Sequence, residues 1–441
     1  MTEKIRVLVV DDSMVMRRVV SDILAGEPDL DVQPPAAGGS LALARLDAGP
    51  IDVIVLDVEM PGMSGIDVLS ELRQRKPAPV VIMFSASTQK AASITLEALS
   101  LGASDYVTKP SNTGSAAASV ELIRTQLLPK VRALGRRTQA RLATPSSPPA
   151  SSPASLPPPA PASPSRTSSR SESRSESRSD SSSPWPTNPP TQASSTRASS
   201  TTVGATRAAS GVYPQRTPSG SFGTSSTSTS SPAAPSMRAS GIDVLAIGTS
   251  TGGPNALGLL LRDLPSTLAV PIVIVQHMPP LFTKMLAERL TATTPVPVDE
   301  VAHGQTLVAG RAYLAPGDQH MVLVRAGGQV IAQLNKDPPE QSCRPSVDVL
   351  FRSVAATYGG RTLAVVLTGM GQDGLVGCQA VRAVGGQIVV QDEASSVVWG
   401  MPGFVARAGL ADAIKPLPEI ASEILRRLRG GASLLPGSKA G

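Results

Sequence analysis

Between residues 136 and 240 the chain carries no hydrophobic period. Ser, Pro, Thr and Ala dominate, in runs such as SSPPASSPASLPPPAPASPSR and the short repeat SRSESRSESRSD at 169–180. Such a stretch cannot bury enough apolar surface to offset the entropy of ordering it. It is expected to be a disordered tether with locally extended, Pro-stiffened segments. That one feature divides the chain into two separate folding problems, residues 1–135 and 241–430, with a flexible tail at 431–441. It also accounts for an odd composition. Aromatics are only 2% and prolines number 41, yet hydrophobic residues reach 41%, so the flanking segments must carry the cores.

The formal charge of +6 suggests a nucleic-acid binder until the charge is located. Residues 136–240 hold 11 basic and 3 acidic side chains, whereas 1–135 hold 13 and 16, and 241–441 hold 16 and 15. The basicity belongs to the tether and not to a folded face, and no helix-turn-helix pattern or basic helix follows residue 241. A nucleic-acid partner is not expected. Cys343 and Cys378 are the only cysteines, far apart, and read as buried or inert thiols of a reducing compartment. The opening MTEKIRVLVVDDS is not a signal peptide, and no apolar stretch reaches about 18 residues. The expectation is a cytoplasmic protein with no membrane insertion.

Residues 1–135 alternate strands with helices. IRVLVV (5–10), IDVIVLD (51–57), PVVIMFSAS (79–87) and SDYVTK (104–109) read as strands. A polar, Pro-rich DVQPPAAGG stands where the second strand belongs, and SAAASVELIRTQLLPKVRAL (115–134) closes the unit as a helix. Continuous apolar strands between helices predict a doubly wound parallel sheet. Asp11 and Asp12 then end the first strand, Asp57 the third, and Lys109 the fifth. In such a sheet these ends line one crevice. Three carboxylates converging there repel unless a divalent cation sits among them, and oxygen-only ligands suggest Mg²⁺. One such Asp is read most simply as a helix cap. Acids, Ser85 and Lys109 at four strand ends point instead to a phosphoryl-accepting pocket.

VVDDS, VLDVEMPGMSG, FSAS and YVTKP, at these spacings, resemble the response-regulator receiver family with its flavodoxin-like fold. The resemblance implies Asp57 as the phosphorylated residue and Mg²⁺ held by Asp11, Asp12, Asp57 and the Glu59 carbonyl. It further implies Ser85, Tyr106 and Lys109 as switch residues and a histidine kinase as phosphodonor.

Residues 241–430 alternate again. IDVLAIG, PIVIVQHM, TLAVVLTG and QIVVQD are strands, LFTKMLAERL and LVGCQAVRAV helices, and HMVLVRAGGQVIAQL a hairpin turning at Gly327-Gly328. A mostly parallel α/β sheet with a small antiparallel part is expected. The stretch Gly248-Thr249-Ser250-Thr251-Gly252 fits the G-x-S-x-G pattern of a serine held on a sharp turn. It also fits a phosphate loop or a plain tight turn. A phosphate loop is disfavoured, because there is no Gly-Lys-Ser/Thr and no G-x-G-x-x-G spacing.

A serine nucleophile needs a base and an orienting carboxylate. All three histidines, His277, His303 and His320, fall in this segment, and His277 ends the strand PIVIVQH. Asp373 follows another strand end across Gly369-Met370-Gly371, a turn that exposes backbone N–H groups suited to an oxyanion hole. Each residue alone has an ordinary structural reading, a buried histidine or a helix-capping Asp. The chain order Ser250, His277, Asp373 differs from that of the α/β-hydrolases, which excludes that fold but not the chemistry.

IGTSTGGP, VQHMPP, LAPGDQH, SVDVLFRSVA, VVLTGMGQDG and QDEASSVVWGMP resemble, in that order, the catalytic domain of the chemotaxis methylesterases, the CheB family. The resemblance implies Ser250 as nucleophile, His277 as base, Asp373 as orienting carboxylate and the Met370 N–H in the oxyanion hole, with no cofactor for the esterase chemistry. It implies methyl-accepting chemoreceptors as substrates, with methyl esters of glutamyl side chains cleaved and glutamines deamidated. It also implies that the unphosphorylated receiver blocks the triad. The family's linkers are usually much shorter, but a tether of about 100 residues still keeps docking local. The rival expectation is a non-catalytic response regulator whose C-terminal domain only docks a protein partner.

Overall fold

The computed structural model describes residues 3–110, 115–143 and 241–430. The expected tether beyond residue 143 and the tail from 431 lie outside the described residues.

The N-terminal strands are β1 (Ile5–Val10), β2 (Leu30–Val32), β3 (Val53–Asp57), β4 (Val80–Ser85) and β5 (Asp105–Thr108). They form a parallel sheet in the order β2-β1-β3-β4-β5. All five residues of β3 are buried, as the unbroken VIVLD run requires of a strand covered on both faces. The second strand is only Leu30–Val32, because the prolines that follow cannot donate to a ladder.

The closing helix runs Ala116–Ala143, past the fading of its apolar period at residue 134. Polar contacts carry the extension. Arg136 pairs with Asp29, the Gln139 side chain donates to Asp52 and to the Lys4 carbonyl, and Thr138 is buried. Gly135 is required by close approach, since a Cβ there would lie 2.4 Å from Ile5.

The C-terminal strands are β6 (Val244–Thr249), β7 (Ile272–Gln276), β8 (Val298–Glu300), β9 (Gln305–Thr306), β10 (Ala312–Leu314), β11 (His320–Ala326), β12 (Gln329–Asn335), β13 (Thr362–Val366), β14 (Gln387–Gln391) and β15 (Ala413–Lys415). Seven form a parallel sheet, β15-β14-β13-β6-β7-β10-β8, and β11-β12-β9 form a small antiparallel one. Both expected sheet types are therefore present. The hairpin β11–β12 turns at Gly327 and Gly328, with φ 56° and 83°, the conformation that a two-residue hairpin loop demands. Every residue of β6 is buried. At about 1.5–3 kcal/mol for each large apolar side chain, this central strand is a rigid base for the residue after it.

The strand order reverses direction at β6, with β7 on one side and β13 on the other. Such a switch point opens a crevice beyond the strands' carboxyl ends. The helix Gln89–Ser100 packs against the helices Gly253–Arg262 and Phe282–Thr293, joining the two sheets' layers. No helix among the described residues is long and apolar enough to cross a membrane.

Candidate active site and receiver pocket

The acid pocket is assembled by strand ends alone. Lys109 Nζ lies 2.9 Å from Asp11 Oδ2 and 2.8 Å from Asp57 Oδ2. Ligand oxygens of Asp11, Asp12 and Asp57 all fall within 4.8 Å of one another. Burial pushes the Asp57 carboxyl upward, and Lys109 offsets that only in part. Burial pulls the Lys109 ammonium down, but its bonds to Asp57 and Asp11 outweigh this and raise it. Asp11 Oδ2 is buried with no hydrogen bond of good geometry besides its ion pair to Lys109. Under-satisfied, closely spaced carboxylate oxygens are a donor set that fits Mg²⁺.

The remaining receiver residues fall less simply. The Glu59 amide donates to Asp57, and its side chain pairs with Lys90 at 2.6 Å. The buried Ser85 hydroxyl turns toward the following helix, where it accepts from Thr95 Oγ1 at 2.7 Å and bonds the Ala91 carbonyl at 3.3 Å. It makes no bond to Asp57 or Lys109. Tyr106 is buried and stacks on Phe282, with centroids 4.8 Å apart and planes at 9°. Lys130 holds the Tyr106 carbonyl at 2.7 Å and Asp105 at 2.9 Å.

In the second sheet, Ser250 follows β6, His277 follows β7, and Asp373 stands in the loop after β13, so three neighbouring strands deliver them. The Ser250 turn is tightly built. Its amide donates to the Thr368 carbonyl at 3.1 Å, and its own carbonyl accepts from Gly253 at 2.7 Å and Gln276 Nε2 at 3.0 Å. The Gln276 side chain also reaches the His277 carbonyl at 3.2 Å, tying the two loops together. A Cβ on Gly369 would lie 2.9 Å from Ser250 Cβ, so only glycine permits this approach.

His277 Nε2 lies 2.8 Å from Asp373 Oδ2. Asp373 is buried and does not cap the helix it precedes, which begins after Gly374 without a side-chain cap. Its carboxylate instead takes the N-terminus of a different helix, Val347–Tyr358. Oδ1 accepts from Ser346 Oγ at 2.8 Å and the Asp348 amide at 2.9 Å, and Oδ2 accepts from the Val347 amide at 2.7 Å. Burial works to raise the Asp373 carboxyl, but His277 and these donors outweigh it and hold it ionised below its ordinary range. Burial lowers His277, yet Cys343 and Asp373 outweigh that and raise it to about 10.

The other ring nitrogen, Nδ1, faces Cys343 Sγ at 3.5 Å. Ser250 Oγ is therefore not bonded to His277 in this arrangement, although both line one cavity of about 560 Å³ with Cys343, Met370 and Gly371. Tyr106, Gln126 and Lys130 of the N-terminal segment line that cavity as well. The Met370 amide finds no acceptor among the described residues, unlike its neighbour Gly369, which donates to Val398.

The other candidate histidines fall elsewhere. His320 is buried and bonded to the Ser346 amide and the Pro338 carbonyl, while His303 binds the backbone of Leu334. The cysteines do not share one fate. Cys378 is buried and its thiol pushed strongly upward by that burial, but Cys343 is half-buried and touches His277, which corrects the expectation of two inert thiols.

Two family models match the chain. That of the response regulator receiver domain covers residues 7–121, and that of the CheB methylesterase covers 245–424. A protein-glutamate methylesterase/protein-glutamine glutaminase of Trichodesmium erythraeum is 42% identical over 96% of this chain and 99% of that protein. The chain belongs to the CheB methylesterase family. A second relative of the same description, from Paramagnetospirillum magneticum, is 41% identical over 96% of each chain. The crystal structure of the Thermotoga maritima CheB methylesterase catalytic domain is 40% identical, covering 42% of this chain and 98% of that one at a TM-score of 0.41.

Sequence reasoning about this CheB-family chain missed the residues that support Asp373. Ser346, Val347 and Asp348 hold Asp373, and Asp348 itself accepts from the Gly374 and Gly377 amides at 2.9 and 2.6 Å. The available signal was SVD at the head of SVDVLFRSVA, where a Ser N-cap precedes an acid inside the first turn. Nothing local to Asp373 pointed there.

Proposed function

We propose that the chain is a phosphorylation-controlled serine hydrolase acting in the cytoplasm. It removes methyl esters from glutamyl side chains of chemoreceptors and deamidates receptor glutamines. The observation that carries this reading is the convergence of Ser250, His277 and a four-fold hydrogen-bonded Asp373 at three adjacent strand ends.

In this reading the substrate carbonyl enters the shared cavity and Ser250 Oγ displaces the Cys343 thiol from His277 Nδ1. The imidazole takes the serine proton as Oγ attacks, and Asp373 holds the ring and stabilises its positive charge. The free Met370 amide receives the developing oxyanion. His277 then gives the proton to the departing methoxy oxygen, releasing methanol, or to the departing amide nitrogen, releasing ammonia, when the substrate is glutamine. Water, deprotonated by the same imidazole, attacks the acyl-enzyme, and the imidazole returns that proton to Ser250 Oγ as the acid leaves.

Control lies in the receiver. A histidine kinase supplies the phosphoryl group to Asp57, and Lys109 neutralises the added charge. Mg²⁺, when bound by Asp11, Asp12, Asp57 and the Glu59 carbonyl, supplies further charge neutralisation. Tyr106 and Lys130 border the cavity that holds Ser250, which supports a receiver that restricts substrate entry until phosphorylated.

The test is methanol release from methylated receptor membranes, with and without a small phosphodonor. Release that rises with the donor is expected. No release from a chain that still accepts phosphate on Asp57 would sink the hydrolase reading.

A further inference from the structure

Cys343 takes no part in the bond-making steps of hydrolysis, yet its sulfur faces the nitrogen on which that chemistry depends. The residue is presented deliberately. Gln341 and Ser342 both adopt left-handed backbone, φ 49° and 61°, although neither is glycine. Glu340 and Cys343 exchange backbone bonds across them at 2.8 and 3.1 Å, closing a two-residue turn of the I′ kind. The flanks are braced, since Arg344 grips Asp318 through two nitrogens and Arg352 pairs with Glu340.

Cys343 Sγ and His277 Nδ1 are 3.5 Å apart. Zinc takes thiolate at about 2.3 Å and imidazole at about 2.0–2.1 Å, so two such ligands on tetrahedral corners stand about 3.5–3.6 Å apart. The same separation serves a thiol hydrogen bond, and a metal would simply replace that proton, released to solvent. Asp373 lies within the same cluster but cannot be a ligand, because Ser346, Val347, Asp348 and His277 already occupy its oxygens. It is placed instead as the outer carboxylate of a carboxylate–histidine–metal arrangement, fixing the ring so that Nδ1 faces the cavity. Sulfur and nitrogen donors select a soft cation, whereas the all-oxygen pocket at Asp57 suits a hard one.

We propose that Cys343 Sγ and His277 Nδ1 form a binding site for a soft divalent cation of the Zn²⁺ type, which silences the hydrolase. Water from the cavity completes the coordination. The bound ion occupies the lone pair that Ser250 needs, so hydrolysis and metal binding exclude each other. The silencing rests on the hydrolase reading above, but the site itself does not.

Reduced full-length chain in excess Mg²⁺ is titrated with Co²⁺, whose thiolate charge-transfer absorption reports sulfur ligation. The band is expected in the wild type and in Cys378→Ala, and absent in Cys343→Ser and Cys343→Ala. Zn²⁺ is then titrated against methanol release, each protein being compared with its own metal-free rate. Inhibition reversed by a chelator is expected in the wild type, with about tenfold or more Zn²⁺ needed in the Cys343 variants. Circular dichroism checks that each variant is folded. A wild type without the band, a band retained in the Cys343 variants, or equal Zn²⁺ sensitivity in all proteins overturns the proposal. Absent methanol release in metal-free wild type condemns the hydrolase reading instead, and leaves the absorption band as the test of the site.

Discussion

The acid pocket and the Ser250 pocket occupy equivalent positions, beyond the carboxyl ends of parallel strands, but they are held together differently. In the first, charges meet charges. Asp11 and Asp57 share Lys109, and each arrives on its own strand end. In the second, one carboxylate is saturated by two backbone amides, one hydroxyl and one imidazole, most of them from a helix N-terminus. The acid pocket keeps under-satisfied oxygens, which suits the cation and phosphoryl group proposed for it. Asp373 keeps none, which suits the part the proposed reaction gives it, holding a ring still through proton transfer. A site that changes state is left electrostatically open, and a site that repeats one reaction is locked.

The largest expected effects separate the two pockets. Ser250→Ala should cut methanol release by about 10⁴-fold or more, while Asp57 phosphorylation proceeds normally. Asp57→Asn should do the reverse, leaving basal release intact and removing all stimulation by phosphodonor. Rates with and without donor, alongside phosphate incorporation, check both. Basal release lost in Asp57→Asn, or phosphate incorporation lost in Ser250→Ala, would break the claim that each pocket carries its own chemistry.

The lock around Asp373 predicts the next effect. Asp373→Asn keeps the volume but turns an NH₂ toward groups that are themselves donors. Turnover should fall about 10³- to 10⁴-fold, as loss of an orienting carboxylate does elsewhere. Stability should also drop by about 2–3 kcal/mol, read from denaturant midpoints, since buried amides lose a charged acceptor. An unfolding midpoint equal to the wild type would show that the helix N-terminus does not depend on Asp373.

The same contrast explains what could be read in advance. The acid pocket was legible because each group is the last residue of an apolar strand or within two residues of it, so strand periodicity alone locates it. Ser250 and His277 were legible for the same reason. Asp373 does lie beside His277, but the reason it stays ionised was not visible, because Val347 and Asp348 lie 26 and 25 residues away along the chain. Cys343 was misjudged because spacing shows only that no cysteine partner is near. Its actual neighbour, His277, is 66 residues away and reached through a turn that Gln341 and Ser342 do not announce. The helix to Ala143 was underestimated because its last turns are fastened by ionic and amide groups, not by an apolar stripe.

The pH profile sharpens the comparison at a single residue. In the proposed reaction His277 is neutral when it accepts the Ser250 proton, and a value raised to about 10 leaves that form scarce near pH 7. On the acid side kcat/KM should therefore climb about tenfold per pH unit up to about pH 10. Cys343 is one of the groups that raise His277, so Cys343→Ser should move this limb to lower pH. A limb that stays in place would assign the raised value to Asp373 alone.

The smallest expected effect joins the two regions. Tyr106 and Phe282 stack at 4.8 Å, and Asn255 donates to the Leu99 carbonyl at 2.6 Å. An aromatic pair of this geometry contributes about 0.5–1.5 kcal/mol beyond its burial. If this contact helps hold the receiver over the Ser250 cavity, Phe282→Leu should keep the apolar volume and lose only the stack. Basal methanol release should then rise about two- to tenfold, with the phosphodonor's stimulation shrinking by the same factor because phosphorylated rates are unchanged. Tyr106→Leu should give the same gain, and the double variant no more than either alone, since each removes the one shared contact. Additive gains would mean that the two rings act through different neighbours, and that the coupling between the pockets does not run through this stack.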